Sequence, residues 1–334
     1  MIAEGVLFDK LPDNKVKCNI CSHRCVIAEG KLGICRTRQN KNGKLYTLIY
    51  NTISSEAVDP IEKKPLYHFM PGTLSYSLGT IGCNFRCQHC QNWNISQEYS
   101  HTGTIEITPE EAIKEALEKK CKSISWTYNE PAIWHEYTYD SAVLAKKAGL
   151  KTIYVTNGYI TPEALRRISP YLDAFRVDIK SFSEDFYRKI CGARLAPVLE
   201  STKLAKELGM HVETITLVIP TKNDSPEELT QIVKWVHDNL GADTPMHFTK
   251  FHPMYRMDDL YPTPLEALEM AYDIAKKEGM RFVYLGNVTG HKYENTYCPK
   301  CNALLIDRMG FKVSAVKIRD GKCPKCGEEI PIVE

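Results

Sequence analysis

Three cysteines at the end of the first quarter of the chain, Cys83, Cys87 and Cys90, stand in the spacing C-x3-C-x2-C. Thiolates are soft donors that take zinc or iron. A structural zinc site wants four closed ligands, and His89 lies between two of the cysteines rather than at a separate, well-spaced position. Three thiolates with no fourth cysteine close behind suit instead a [4Fe-4S] cubane in which one iron lacks a protein ligand. That open iron is where reactivity would enter.

Eight of the other ten cysteines form two outer sets. Cys298-Pro-Lys-Cys301 and Cys323-Pro-Lys-Cys326 are paired C-x2-C knuckles with β-like stretches between them, the pattern of a zinc ribbon. Cys18, Cys21, Cys25 and Cys35 can close a four-thiolate site around zinc or an auxiliary iron–sulfur cluster. Both metals accept four thiolates, so spacing leaves the choice open, with a slight lean to zinc. Cys121 and Cys191 stand alone and are read as small buried hydrophobes.

The elements that must position these groups are legible. Runs rich in β-branched and aromatic residues at 73–80, 122–127, 151–156, 173–179, 211–218, 246–251 and 281–285 read as strands. Helices between them start at hydroxyl-Pro pairs, Thr108-Pro109, Thr161-Pro162, Ser225-Pro226 and Thr263-Pro264. Thr108 with Glu111, and Ser225 with Glu228, have capping-box spacing. Gly149, Gly209 and Gly279 mark helix ends. Alternating strands and helices require mostly parallel pairing, in an open doubly wound sheet or a complete or partial barrel. Either way ligands gather at the carboxyl ends of the strands. The Cys83 loop directly follows the first of these strands.

Composition bounds the rest. The 334 residues are 43% apolar and 25% charged, globular proportions. The net charge of +2 offers no support for a nucleic-acid partner. No window approaches a membrane span, and the N-terminus lacks the charged-then-apolar pattern of a signal peptide, so a cytoplasmic location is expected. Thirteen cysteines in such a compartment point to metals rather than disulfides.

The 3-then-2 cysteine spacing after a strand resembles the radical S-adenosylmethionine (SAM) superfamily. The resemblance implies that SAM binds the open iron through its amino and carboxylate groups. It also implies that one-electron reduction cleaves the sulfonium, and that a 5′-deoxyadenosyl radical then abstracts hydrogen from a substrate. His89 stands where the superfamily usually places an aromatic residue near the adenine. Thr127-Tyr128-Asn129-Glu130-Pro131 resembles the Gly-Gly-Glu-Pro segment that holds the SAM amino group, which implies Glu130 as the anchor with Asn129 beside it. Thr156-Asn157-Gly158 and Asp178-Ile179-Lys180 resemble the Thr-Asn-Gly and Asp-Leu-Lys segments of glycyl-radical-enzyme activases. There the Asp178 position implies a site beside SAM that helps hold a monovalent cation. Val218-Ile219-Pro220 is placed against the adenine, and Phe251-His252-Pro253 near the active site, with Asn287 after the last strand.

Over essentially its whole length, including Asp59-Pro-Ile-Glu-Lys-Lys-Pro-Leu-Tyr-His68, the chain resembles the AmmeMemoRadiSam-system radical SAM proteins, which group with pyruvate formate-lyase activating enzymes. This implies an α/β fold, a partial (β/α)6 barrel over 51–290, with a cysteine-rich segment at 1–50 and a zinc-ribbon-like segment at 291–334. The implied partners are a one-electron donor such as a flavodoxin or ferredoxin and, for an activase, a glycyl-radical enzyme or other protein substrate. Three readings stay open: a radical SAM enzyme with an unidentified substrate, an activase, and a non-catalytic iron–sulfur and zinc carrier or scaffold.

Overall fold

A computed structural model describes residues 1–99 and 103–334. Its centre is an eight-stranded sheet: β1 (Ser55–Pro60), β2 (Leu74–Gly79), β3 (Ser123–Trp126), β4 (Lys151–Thr156), β5 (Ala174–Asp178), β6 (His211–Val218), β7 (Met246–Lys250) and β8 (Val283–Gly286). β1 runs antiparallel to β2, and from β2 onward every pairing is parallel. Strand order follows the chain without reversing. Right-handed crossovers in such an order all lie on one face, which winds the sheet into a barrel and excludes the doubly wound alternative.

Helices α1 (Pro109–Glu118), α2 (His135–Lys147), α3 (Pro162–Ile168), α4 (Leu195–Glu207), α5 (Pro226–Leu240) and α6 (Leu265–Lys277) supply the crossovers. Thr108 and Glu111 form the full reciprocal capping box. Thr161 and Ser225 also cap their helices, accepting from Ala164 N and Glu228 N. Two start signals resolve differently. The Glu228 carboxylate does not return to its own cap; it accepts from Ser181 Oγ and from Phe182 N (3.0 Å), fastening the loop after β5. Thr263 does not cap α6: its hydroxyl donates to Val218 O (2.6 Å) and accepts from Phe251 N (2.7 Å), joining the ends of β6 and β7, and α6 starts at Leu265. In both cases a tertiary partner outcompetes the local cap.

The two sheet edges do not pair with each other. Between them lie Tyr67 and His68, and a three-stranded sheet of β9 (Thr296–Tyr297), β10 (Leu304–Met309) and β11 (Lys312–Val316) packs against them. His68 bonds Tyr284 Oη (2.6 Å) and Pro331 O (2.8 Å), while Arg308 donates to Tyr67 O (2.8 Å). Tyr67, Phe282 and Tyr284 share one apolar cluster with Leu305, Ile306 and Ile318. The C-terminal segment thus seals the seam of the partial barrel.

At the other end, the N-terminal segment builds two small antiparallel sheets. It is tied to α2 by Arg38, whose guanidinium donates to both Glu136 oxygens (2.9 and 2.6 Å) with both side chains buried. Glu136→Leu is expected to cost about 3–5 kcal/mol, because it leaves the Arg38 charge buried without its partner. Urea unfolding of the variant, followed by fluorescence, measures this. No helix among the described residues is long and apolar enough to cross a membrane.

Candidate active site

A cavity of about 790 Å³ opens within the barrel, in the size range of small-molecule sites. Its wall shows the period of two expected of a barrel interior: Ile215 and Leu217 of β6, His247 and Thr249 of β7, and Arg176 and Asp178 of β5 all face it. Cys83, Cys87, His89, Cys90, Asn129, Glu130, Thr156, Asn157, Asp178, Lys180, His252 and Asn287 line it too. The residues singled out at successive strand ends therefore meet in one place.

The cysteine loop is held from several sides. Asn129 accepts from Thr80 N (3.2 Å) and donates to Gly82 O (2.8 Å), tying the end of β3 to the loop. Asn157 donates to Asn84 Oδ1 (2.8 Å) and lies 3.8 Å from Cys83 Sγ. Phe85 N donates to the same sulfur (3.4 Å). Gly82 has φ +85°, and a Cβ there would lie 2.6 Å from Thr37 Cγ2, so only glycine fits. Cys191 is fully buried and its thiol bonds Cys87, which lowers the Cys87 pKa; burial raises that of Cys83 and pushes Cys90 up to about 11. Cys121 packs in the core, but Cys191 is a direct neighbour of the site rather than a packing residue alone.

Glu130 is buried at 1% exposure. Its carboxylate accepts from Ala132 N (2.9 Å), Thr156 Oγ1 (2.7 Å) and Asn157 N (2.8 Å), which fix its orientation. Burial raises its pKa to about 7. Among the described residues no cationic side chain pairs with it. A buried carboxylate in that position fits a ligand that brings its own positive charge. Tyr128 adopts the left-handed conformation (φ +70°) that a glycine would take more readily, and its hydroxyl compensates by donating to Asp59 Oδ2 (2.6 Å).

Asp178 differs. Arg176 and Lys180 (2.9 Å) each bond one of its oxygens. Burial opposes the charges on Asp178 and Lys180, yet Arg176 and Lys180 hold the Asp178 pKa below its usual value, and Asp178 holds the Lys180 pKa above its own. Two side-chain cations therefore pair with the carboxylate at the position where the family resemblance implies a monovalent cation. Lys180 is also no solvated rim residue, its side chain being 14% exposed. His89 is buried, and burial lowers its pKa to about 3, so the ring is neutral; it sits 6.0 Å from the Phe186 ring. Ile219 does not line the cavity: it is buried behind β6, its N–H bonded to Asn223 Oδ1 (2.6 Å), and Ile215 and Leu217 supply the apolar wall instead.

Sequence reasoning missed the opposite wall. Glu62, Lys63, Lys64 and Tyr67 face the cavity from the segment after β1. Asp59 there binds Lys63 (2.7 Å) and Lys64, and burial pulls the Lys64 pKa down to about 8. Arg176 was recoverable, since it lies two residues before Asp178 on a strand and so shares its face.

The sulfurs of Cys298, Cys301, Cys323 and Cys326 lie within 4.8 Å of one another, close enough to share a metal ion. Cys298 and Cys326 are 3.5 Å apart, and Cys301 and Cys323 are 3.7 Å apart.

Comparison with known proteins agrees with this geometry. Residues 78–236 match the family described as Radical SAM superfamily, a span that holds the Cys83 loop, Glu130, Thr156 and Asp178. Residues 78–236 are a radical SAM domain. The chain is 48% identical over 333 residues to uncharacterized protein MJ0808 of Methanocaldococcus jannaschii, covering 99% of each. It is 26% identical to the pyruvate formate-lyase-activating enzyme of Listeria monocytogenes over 206 residues, covering 56% of this chain and 80% of that one. The Streptococcus suis SuiB structure bound to S-adenosylmethionine shares the fold, with a TM-score of 0.52 at 12% identity over 68% of this chain and 55% of that one.

Proposed function

We propose that the protein is an enzyme that reductively cleaves SAM and abstracts hydrogen from a substrate not yet identified. The observation that carries this reading is the meeting, in one cavity, of three thiols spaced C-x3-C-x2-C and a buried carboxylate that has no cationic partner among the described residues. A carrier or scaffold would have no use for that carboxylate. Cys83, Cys87 and Cys90 would hold a [4Fe-4S] cluster, and Glu130 the SAM ammonium. Bound there, the pair would supply one-electron reductive cleavage of the sulfonium. The protein's part is positional: Thr156 and Asn157 orient Glu130, Asn129 and Asn157 brace the cysteine loop, and the barrel wall excludes water. Incubating the reduced, anaerobically reconstituted protein with SAM tests this. Release of 5′-deoxyadenosine and methionine, measured by mass spectrometry, is expected; an intact cluster with neither product contradicts it.

The similarity to pyruvate formate-lyase-activating enzymes favours a second reading, an activase acting on a glycine of a partner protein. A glycyl-radical signal in electron paramagnetic resonance (EPR), after adding a candidate partner, separates it from the first. In either case the close-set C-terminal thiols would hold zinc, whose bonds of about 2.3 Å to sulfur put tetrahedral ligands about 3.8 Å apart. Cys323→Ala is expected to lower stability mainly, since a structural zinc contributes folding energy directly. Zinc analysis and the melting temperature measure this, with SAM cleavage at low temperature retained.

A further inference from the structure

The N-terminal cysteines form a second site. Cys18 ends a strand (Val16–Cys18), Cys21 bridges Ile160, Cys25 O accepts from Cys18 N (3.0 Å), and Cys35 lies in a turn closed by Arg36 N and Gly33 O (2.9 Å). Folded this way, the four thiols wall one apolar cavity with Ile20, Ile27 and Ile133. Two sulfurs already receive hydrogen bonds, Cys25 from Ile34 N (3.5 Å) and Cys35 from Thr37 Oγ1 (3.3 Å). Arg38 lines the same cavity at 1% exposure, and its Nε has no hydrogen-bond partner. Glu136 already meets the guanidinium charge, but a buried N–H left without an acceptor still costs free energy, and the sulfur of a thiolate-ligated centre in this cavity would supply one.

Spacing identifies the metal. In the C-terminal ribbon the sulfurs lie as close as zinc requires. Among the described residues only that set draws its ligand atoms within 4.8 Å of one another; the N-terminal thiols stand around a cavity instead. The Cys83, Cys87 and Cys90 thiols share this looser arrangement. Thiolates on a cubane are held apart by the irons and sulfides between them, and four protein thiolates complete all four irons. We propose that Cys18, Cys21, Cys25 and Cys35 hold a second [4Fe-4S] cluster, fully ligated by protein, rather than zinc.

Its position is specific. A Cβ on Gly82, the residue before Cys83, would lie 3.1 Å from Cys35 O. His23, two residues after Cys21, bonds Asn84 O (2.8 Å), and Arg86 bonds both Cys83 O (2.9 Å) and Ile34 O. The two cysteine loops are therefore in direct contact. On the other side, Val26 and Ile34 are exposed, so this centre lies between solvent and the barrel site.

The test is a full-length chain carrying Cys83→Ala, Cys87→Ala and Cys90→Ala together, reconstituted anaerobically with iron and sulfide in the presence of zinc. About four irons per chain, with the Mössbauer signature of a [4Fe-4S] centre, and one zinc are expected. Adding Cys18→Ala and Cys21→Ala should remove that iron. An iron-free triple variant with two zincs overturns the assignment. The wild-type protein gives a second reading that needs no variant to fold: about eight irons and one zinc support it, and about four irons and two zincs overturn it. Because the variant chain lacks the barrel cysteines, its iron content is independent of whether the barrel site cleaves SAM.

Discussion

Replacing Cys87 with alanine is expected to abolish SAM cleavage, a fall of more than about 1,000-fold, or about 4 kcal/mol in barrier height. Cys87 is the middle cysteine of its loop, buried, and set by the backbone bond of Gln88 N to Ile190 O (3.1 Å) and by the Cys191 thiol. Alanine leaves two thiols, too few to hold a cubane with one open iron. The residue is small and the loop is braced from Asn129 and Asn157, so the fold should survive. The check is 5′-deoxyadenosine production alongside iron content and circular dichroism. A variant with wild-type turnover would remove Cys87 from the site.

The second large effect belongs to Glu130. Glu130→Gln removes the charge and places an amide N–H₂ among three donors, so it should lose both the proposed ammonium contact and part of its own orientation. A charge-assisted hydrogen bond of about 1.5–3 kcal/mol corresponds to a SAM affinity roughly 10- to 150-fold weaker. The pH dependence follows from the raised pKa of about 7. Below that value the carboxyl is protonated and the ammonium loses its counter-charge; above it the carboxylate is present. SAM affinity should therefore weaken as pH falls, approaching about tenfold per unit below pH 6. Over that range the α-amino group of SAM keeps its proton, with an ordinary value near 7.7–8.0. Isothermal titration between pH 5.5 and 7.5 should show this slope in the wild type and a flat line in Glu130→Gln. A sloping line in the variant would place the titration elsewhere.

Much of this site was legible because its residues fall just after strands whose composition marks them. Glu130, Thr156 and Asp178 each close or follow a β-rich run, and a parallel sheet brings such positions together whatever the distance in sequence. The barrel was less legible than the strands, because periodicity is the same in singly and doubly wound sheets, and only strand order separates them. Glu228 and Thr263 misled for a related reason: a capping residue is read from its neighbours, whereas its bond here goes to a distant loop. Ile219 follows the end of β6 and is buried in the core, while Ile215 and Leu217 within that strand line the cavity. The contact of Cys191 with Cys87 has no sequence signal, since 104 residues separate them and a lone buried cysteine is usually inert. Glu62 and Lys64 lie in the 59–68 stretch that carries part of the family resemblance, but that stretch has no ligand spacing and precedes the strand bearing the cysteine loop, so nothing local marks them as cavity residues.

The most direct measurement is pulsed electron–nuclear double resonance on the reduced cluster of the wild-type protein with SAM labelled with ¹⁵N at its amino group and ¹⁷O at its carboxylate. Hyperfine coupling of both labels to the cluster, lost in the variant lacking Cys83, Cys87 and Cys90, is the predicted result. A cluster spectrum that SAM leaves unchanged, or a closed zinc centre at those three thiols, would contradict the account.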